Sequence, residues 1–408
     1  MSIDLLDVNG FPCHQFHEHQ EPTMNLNISE IRAYPAYIPT TLDIGPAQAS
    51  ASLSCCVIEV KTEDGVTGYG YTAITDEEVI VSIVDNLLAP DLKGLSALDR
   101  EAIAERIYWM VSPRGQTGYG SHAASGIDLA LWDILGKVTG QPCWRLLGGA
   151  RSEVPLYVTF GFGSFDRDQL ADAARFLRSD GVRRLKMVVG HHALKRQAAG
   201  ESMSAILKED IERVRVVREA AGEDAEIYID ANCSLDPASA QWLDDRLRDF
   251  DIAFFEEPVR GNDTRQLADL RARGTRIAAG QNEGQLYRFR DLLTCGSVDV
   301  IQPNVVICGG LTVGQKVAAL AEAHQVQMAN GGAFPFHNMH LHGGLANGGL
   351  VEWHLISVEM GRSLFTDLPE RDGDILRLPE TPGLGFGANI DALREYAAGP
   401  LSNGRGKG

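Results

Sequence analysis

A series of acidic and amide residues, each closing a short apolar run, carries the chemistry open to this sequence. Asp230 ends Tyr228-Ile229-Asp230, Glu256 and Glu257 end Phe254-Phe255-Glu256-Glu257, and Gln281 and Glu283 lie in Gly280-Gln281-Asn282-Glu283. A hard divalent cation such as Mg²⁺ takes oxygen ligands in octahedral array, several of them carboxylates. Asp230, Glu256 and a third group, Gln281 or Glu283, are therefore candidate ligands for one Mg²⁺ per site. Ion pairs with basic residues of neighbouring loops are the competing use of such carboxylates. Lys186 lies between Leu185 and Met187, and strand alternation turns it inward when those two face outward. An inward lysine can serve as a general base, as the partner of an anionic substrate or as a Schiff-base amine. It can also simply pair with Asp230 or Glu256.

The elements that must position these residues follow from periodicity. Asp230, Glu256, Gln281, Asn304 and Asn330 recur at intervals of 23 to 26 residues. Eight β-branched or apolar runs, from Val154–Phe160 to Leu350–His354, alternate with amphipathic helical patterns such as Ile211/Val214/Val217. Eight βα units predict a closed parallel barrel of the TIM type, with strand ends converging on one face where such barrels build their sites. Residues 151–360 are assigned to it. Residues 24–150 read as a separate α+β domain: three strands with the turn Glu63-Asp64-Gly65, then helices with Ile127, Leu131, Ile134 and Val138 on one face. Residues 361–408 have no barrel partner in this reading and are expected to return to the N-terminal domain. Residues 1–23, with His14, His17 and His19, read as a disordered extension rather than a metal site.

The composition excludes several functions. With 37 Lys+Arg against 55 Asp+Glu the 408-residue chain has a formal charge of −18, unsuited to binding nucleic acid or an anionic membrane surface. No apolar run approaches the roughly 18 residues of a membrane span. Seven scattered cysteines without a C-x-x-C pair point to a reducing, cytoplasmic setting.

The segment Ser125-Gly126-Ile127-Asp128-Leu129-Ala130-Leu131-Trp132-Asp133, with Gly136-Lys137, Gln141-Pro142 and Leu146-Leu147-Gly148-Gly149, resembles the mandelate racemase/muconate lactonizing enzyme family of the enolase superfamily. The resemblance continues through Lys186, Asp230, Glu256-Glu257-Pro258, Gln302-Pro303 and Gly309-Gly310, and spans about Asn25 to the C-terminus. It implies a modified enolase-type barrel under an N-terminal capping domain, and Mg²⁺-assisted removal of the proton α to a carboxylate. It further implies homo-oligomerisation, a capping domain that closes the mouth with segments near Leu42–Ser50 and Tyr71–Thr75, and an enediolate hydrogen-bonded by Glu352.

Departures from that family pattern narrow the reading. Val188 stands where a second lysine of a Lys-x-Lys pair is usual, Gln281 in place of the third acid, Asn304 in place of an aspartate, and Asn330 or Gly332 in place of a histidine. Glu283, two residues beyond Gln281, is the alternative third carboxylate. His337 then becomes the acid–base candidate opposite Lys186, ahead of His340, His191 and His192. Asn232, Glu257, Asn304 and Asn330 are expected to contact the substrate. Acid-sugar dehydration to a 2-keto-3-deoxy acid is the leading expectation, with a small carboxylate as substrate. Racemisation or epimerisation of a 2-hydroxy acid is the runner-up, followed by a non-catalytic relative that keeps the metal and by a Schiff-base aldolase.

Overall fold

The computed structural model describes residues 24–398, so the extension of residues 1–23 lies outside the described residues. Strands β1 (Ile28–Ile44), β2 (Ala47–Thr62) and β3 (Thr67–Ala73) form an antiparallel sheet in that order. One face is covered by the helix Tyr119–Thr139, whose Ile127, Leu131 and Ile134 are buried against Ile58, Ile80 and Val84. Glycines let the helix sit close. A Cβ on Gly70 would lie 1.7 Å from the carbonyl oxygen of Gly126, and one on Gly68 2.1 Å from that of Ala130, so no other residue fits.

The barrel strands are β4 (Glu153–Gly161), β5 (Arg184–Val188), β6 (Glu226–Asp230), β7 (Ile252–Glu256), β8 (Ile277–Ala279), β9 (Val300–Ile301), β10 (Gln327–Met328) and β11 (Val351–His354). They pair in parallel from β4 to β10, and β11 returns to β4. A parallel bridge between Ala329 and Leu350 closes the ring. The eight-stranded (β/α) barrel expected from the sequence is therefore present.

Alternation sorts the interior into layers. Tyr157, Tyr228, Phe254, Ala278, Val300 and Ala329 pack together as an apolar floor. Two residues further along the strands, toward their C-terminal ends, come Thr159, Asp230, Glu256 and Gln302. The outward-facing Leu185, Met187, Ile227, Ile229 and Phe255 join the main core beneath the surrounding helices.

Two parts depart from the sequence reading. The stretch after β11 does have a barrel partner: Ile375–Arg377 pairs antiparallel with the start of β4, while the helix Ile390–Ala398 packs on β1. The Leu42–Ser50 segment is not a loop over the mouth. It is the paired tip of the β1–β2 hairpin, continuous to Ile44 opposite Ala47, and Gly45 rests on Phe176 of the helix Arg167–Ser179 outside the barrel.

Asp133 ties three segments together. Its buried carboxylate accepts from the backbone N–H of Tyr69 and of Leu384, each at 3.0 Å, and from Lys137 Nζ at 2.7 Å. Asp133→Ala leaves those amides unpaired and is expected to cost about 2–4 kcal/mol, read as a lower urea midpoint at unchanged slope. Among the described residues no helix is long and apolar enough to cross a membrane.

Candidate active site

Lys186 is the centre of the polar layer. Its side chain is buried over the Tyr157 ring, 5.2 Å from the ring centre. Nζ lies 2.8 Å from Glu256 Oε2, 2.8 Å from Glu352 Oε1 and 3.4 Å from Asp230 Oδ2. Burial alone would lower its pKa, but Glu256, Glu352, Tyr157 and Asp230 outweigh burial and hold it well above the ordinary lysine value. The ammonium is charged in this arrangement.

The carboxylates around it are differently satisfied. Glu352 also accepts from Thr159 Oγ1 and, at 2.6 Å, from the Ala333 N–H. Burial pushes its pKa up, but Lys186 overcomes that and leaves it below the usual range. Asp230 accepts from the Asn232 N–H at 2.8 Å, and burial raises its pKa despite Lys186. Glu256 is shifted well above the ordinary value by burial and by Asp230. Its Oε1 has no hydrogen-bond partner among the described residues, nor have Oε1 and Nε2 of buried Gln302. These orphaned atoms meet at Gly331, where a Cβ would sit 2.7 Å from Gln302 Nε2 and 3.0 Å from Glu256 Oε1. The layer thus has more buried carboxylate than Lys186 can neutralise.

The surrounding backbone is bent to hold it. Asn232, Cys233, Glu257, Ala333 and Phe334 all have positive φ, at strand ends or in the loop after β10. Non-glycine residues in that region cost about 1–3 kcal/mol each, and such strain gathers where a site must be shaped.

Several expected residues are placed elsewhere. Glu283 is turned to Arg288, its oxygens 2.9 and 3.1 Å from Nε and Nη2, and so is spent on a two-point ion pair. Gln281 stays in the cluster, Nε2 donating to Glu257 at 3.0 Å and lying 3.4 Å from Asp230. Glu257 accepts from Asn262 at Oε1 and from Gln281 and Asn282 at Oε2. Asn304 spends its amide on the Gly332 carbonyl, the Val306 N–H and Asn338. Asn330 donates to the Gly331 and Ala333 carbonyls and accepts from the Glu352 N–H at 3.2 Å, so it fixes Glu352 rather than substrate. Asn232 is exposed at the strand end.

His337 is not opposite Lys186. It lies on the helix Pro335–Gly344 in an aromatic box, stacked 5.1 Å from Tyr71 and edge-on to Phe365 and Phe386. The box joins the capping sheet, through Tyr71, to the C-terminal segment. His340 is likewise buried, its Nε2 3.0 Å from the Leu384 carbonyl, and His191 and His192 pack on each other in the loop after β5. Burial, aided by His340, pulls the His337 pKa down to about 3. The unfolded chain binds this proton near pH 6.5 and the folded one does not, so stability falls as pH drops from about 6.5 toward 3, by about 1.4 kcal/mol per pH unit. His337→Phe is expected to stay folded to lower pH than the parent in acid titrations followed by circular dichroism, with activity at neutral pH nearly unchanged.

Thr159 and His354 belong to the site but were not singled out from sequence, and Gln302 entered the family resemblance without a role. Counting two residues on from Tyr157, Val300 and Glu352 reaches each of them.

The geometry now meets the comparisons. An enolase C-terminal domain-like model matches residues 169–392, and the mandelate racemase/muconate lactonizing enzyme N-terminal domain model matches residues 34–148. The chain belongs to the mandelate racemase/muconate lactonizing enzyme family. It is an enzyme, a lyase or an isomerase. An L-rhamnonate dehydratase of Saccharopolyspora erythraea is 33% identical over 84% of this chain and 86% of its own length. An arabinonate dehydratase of Saccharolobus solfataricus is 28% identical over 83% and 89%, respectively. Among solved structures, a racemase from Streptomyces coelicolor A3(2) with bound magnesium superposes with a TM-score of 0.80 at 27% identity, covering 90% of this chain and 99% of that one. The 3,6-anhydro-D-galactonate cycloisomerase from Zobellia galactanivorans gives 0.79 at 27% identity, covering 91% and 99%.

Proposed function

We propose that this enzyme removes the proton α to the carboxylate of an acid sugar and expels the β-hydroxyl, forming a 2-keto-3-deoxy acid in a Mg²⁺-dependent reaction. The observation that carries the reading is the buried Lys186 between Glu352 on one side and Asp230 and Glu256 on the other, at the C-terminal ends of barrel strands. The dehydratase relatives acting on rhamnonate and arabinonate support the substrate class.

The residues fit a divalent cation on charge, because Asp230, Glu256 and Glu257 are all pushed toward protonation in its absence. Among the described residues no set of three acid, histidine or cysteine side chains forms a cage, since Glu283 is held by Arg288. Gln281 would supply the third oxygen beside Asp230 and Glu256. A cation held there would stabilise the second negative charge that develops on the substrate carboxylate.

The chain's own residues handle the proton. Lys186 Nζ takes the α-proton as a neutral amine, a form that a cation held by Asp230 and Glu256 would favour by weakening their hold on the ammonium. Glu352 Oε1, 2.8 Å from Nζ, keeps the amine in place. The resulting ammonium returns its proton to the departing β-hydroxyl, so water leaves from the same face. His337, boxed in by aromatic rings, is not placed to act as a second base opposite Lys186, which disfavours two-base racemisation through it. The likeness to a 3,6-anhydro-D-galactonate cycloisomerase makes the anhydro acid a necessary control substrate.

A semicarbazide assay for 2-keto acids across aldonates, aldarates and 3,6-anhydrogalactonate tests the reading. Keto acid is expected from an aldonate or aldarate with Mg²⁺ and not with EDTA. Product from the anhydro acid alone would replace dehydration by cycloisomerisation.

A further inference from the structure

His354, which the mechanism above does not use, occupies a position suited to one task. It ends β11 two residues after Glu352, while Val351 and Trp353, the alternate positions, are buried in the outer core. Glu352 and His354 therefore share the inner side, with His354 nearer the mouth. The ring lies 5.2 Å from that of Phe162, and the residue is half-buried where Glu352 is fully enclosed.

His354 is also the N-cap of the ten-residue helix Leu355–Leu364: its Nδ1 accepts from the Ser357 N–H at 3.3 Å. An acceptor Nδ1 cannot carry a proton, so the neutral ring carries its proton on Nε2. A second proton would set an N–H against the Ser357 N–H and a cation at the positive end of the helix. Burial, with Lys186, lowers the pKa to about 4 although Glu352 opposes this. Nε2 makes no hydrogen bond among the described residues, and nothing within the helix cap can use it.

We infer that His354 is a substrate-binding residue: it presents a neutral Nε2–H donor at the barrel mouth to the carboxylate or 2-hydroxyl of the bound acid, with the helix cap fixing its tautomer. The inference deepens the proposed dehydration and rests on it for the substrate class. A neutral donor, unlike an imidazolium, contributes no charge that would compete with Lys186 for Glu352. A ring locked in this tautomer also cannot serve as a base through Nε2, which fits the single-base scheme.

Two substitutions separate the two nitrogens. His354→Asn places a carbonyl oxygen near Nδ1, keeping the cap and losing the donor; His354→Gln places an amide N–H near Nε2, keeping the donor and losing the cap. The expected result is an Asn variant with parental melting temperature but kcat/KM lower by about 10- to 100-fold, chiefly through KM, since a donor to a charged group is removed. The Gln variant is expected to melt lower and yet retain more activity. Nitrogen-15 NMR of histidine-labelled protein supplies a readout independent of turnover. One ring with the proton on Nε2 should disappear in His354→Asn and, in the parent, move on addition of tartronate, a 2-hydroxy acid with no β-hydroxyl to lose. Equal kcat/KM in the Asn variant and the parent, a proton found on Nδ1, or a signal unmoved by saturating tartronate each overturns the inference. Failure of every acid sugar to turn over, with the tautomer and the tartronate shift as expected, would instead count against dehydration and leave His354 as the donor.

Discussion

Lys186→Met is expected to fold and to lose α-proton exchange by about 10³-fold or more. The substitution keeps the length of the side chain over Tyr157 while removing the group that transfers the proton, a role worth about 10²–10⁴ in rate. It also removes the cation shared by Asp230, Glu256 and Glu352, and an uncompensated buried carboxylate costs several kcal/mol unless it takes up a proton. The three therefore become more basic, and the variant should gain stability as pH falls from 7 toward 5, where the parent gains less. Steady-state rates and urea melts at both pH values check this. Lys186→Arg tests position rather than charge: the guanidinium keeps the ion pairs but does not deprotonate, so it should be as inactive as Met. An arginine variant with parental exchange would mean that Lys186 acts through charge alone.

The second large effect belongs to Glu256. Its neighbours include Asp230, which repels it, and its Oε1 is without a partner among the described residues. Glu256→Gln is thus expected to melt no lower than the parent in EDTA, because a buried charge in excess is removed while Lys186 keeps Asp230 and Glu352. In Mg²⁺ the outcome should reverse. The parent gains stability by mass action as Mg²⁺ is added, whereas the variant gains little and loses activity by at least about 10²-fold, in line with the sensitivity of metal sites to changes in their ligands and supporting groups. Thermal melts over a Mg²⁺ series are the measurement. Equal Mg²⁺ stabilisation of both proteins would remove Glu256 from the ligand set.

The barrel was legible because its periodicity is strong. Eight apolar runs and polar residues every 23 to 26 positions leave few alternative topologies. Strand alternation turned Lys186 inward, the strand-end intervals marked Asp230 and Glu256, and the family resemblance pointed to Glu352; the structure brings all four within one hydrogen-bonded cluster. The alternation rule failed at Glu283 for a local reason: β8 stops at Ala279, Gly280 takes φ +121°, and the Glu283 N–H turns back to the Gly280 carbonyl. Beyond that point i and i+2 no longer share a face. His337 was misplaced because the loop after β10 bends through Ala333 and Phe334 in left-handed conformations. Nothing in the residue types announces that turn, so the helix after it could not be oriented. The family resemblance alone made the hairpin tip near Gly45 a closing loop, and its support, Phe176, is distant in sequence. The amides of Asn304 and Asn330 have partners that are likewise matters of tertiary contact. His354 was within reach of alternation, two residues after Glu352, and was passed over as the end of a strand.

Proton NMR in D₂O with excess Mg²⁺, on L-rhamnonate and arabinonate among a panel of acid sugars, addresses the central claim most directly. The account predicts that one acid loses its C2 proton as a 3-deoxy signal grows, with deuterium incorporated at C3 of the product, and that Lys186→Met and EDTA each abolish both changes. Retention of every C2 proton by the folded, Mg²⁺-bound protein, or dehydration that survives Lys186→Met, would contradict it.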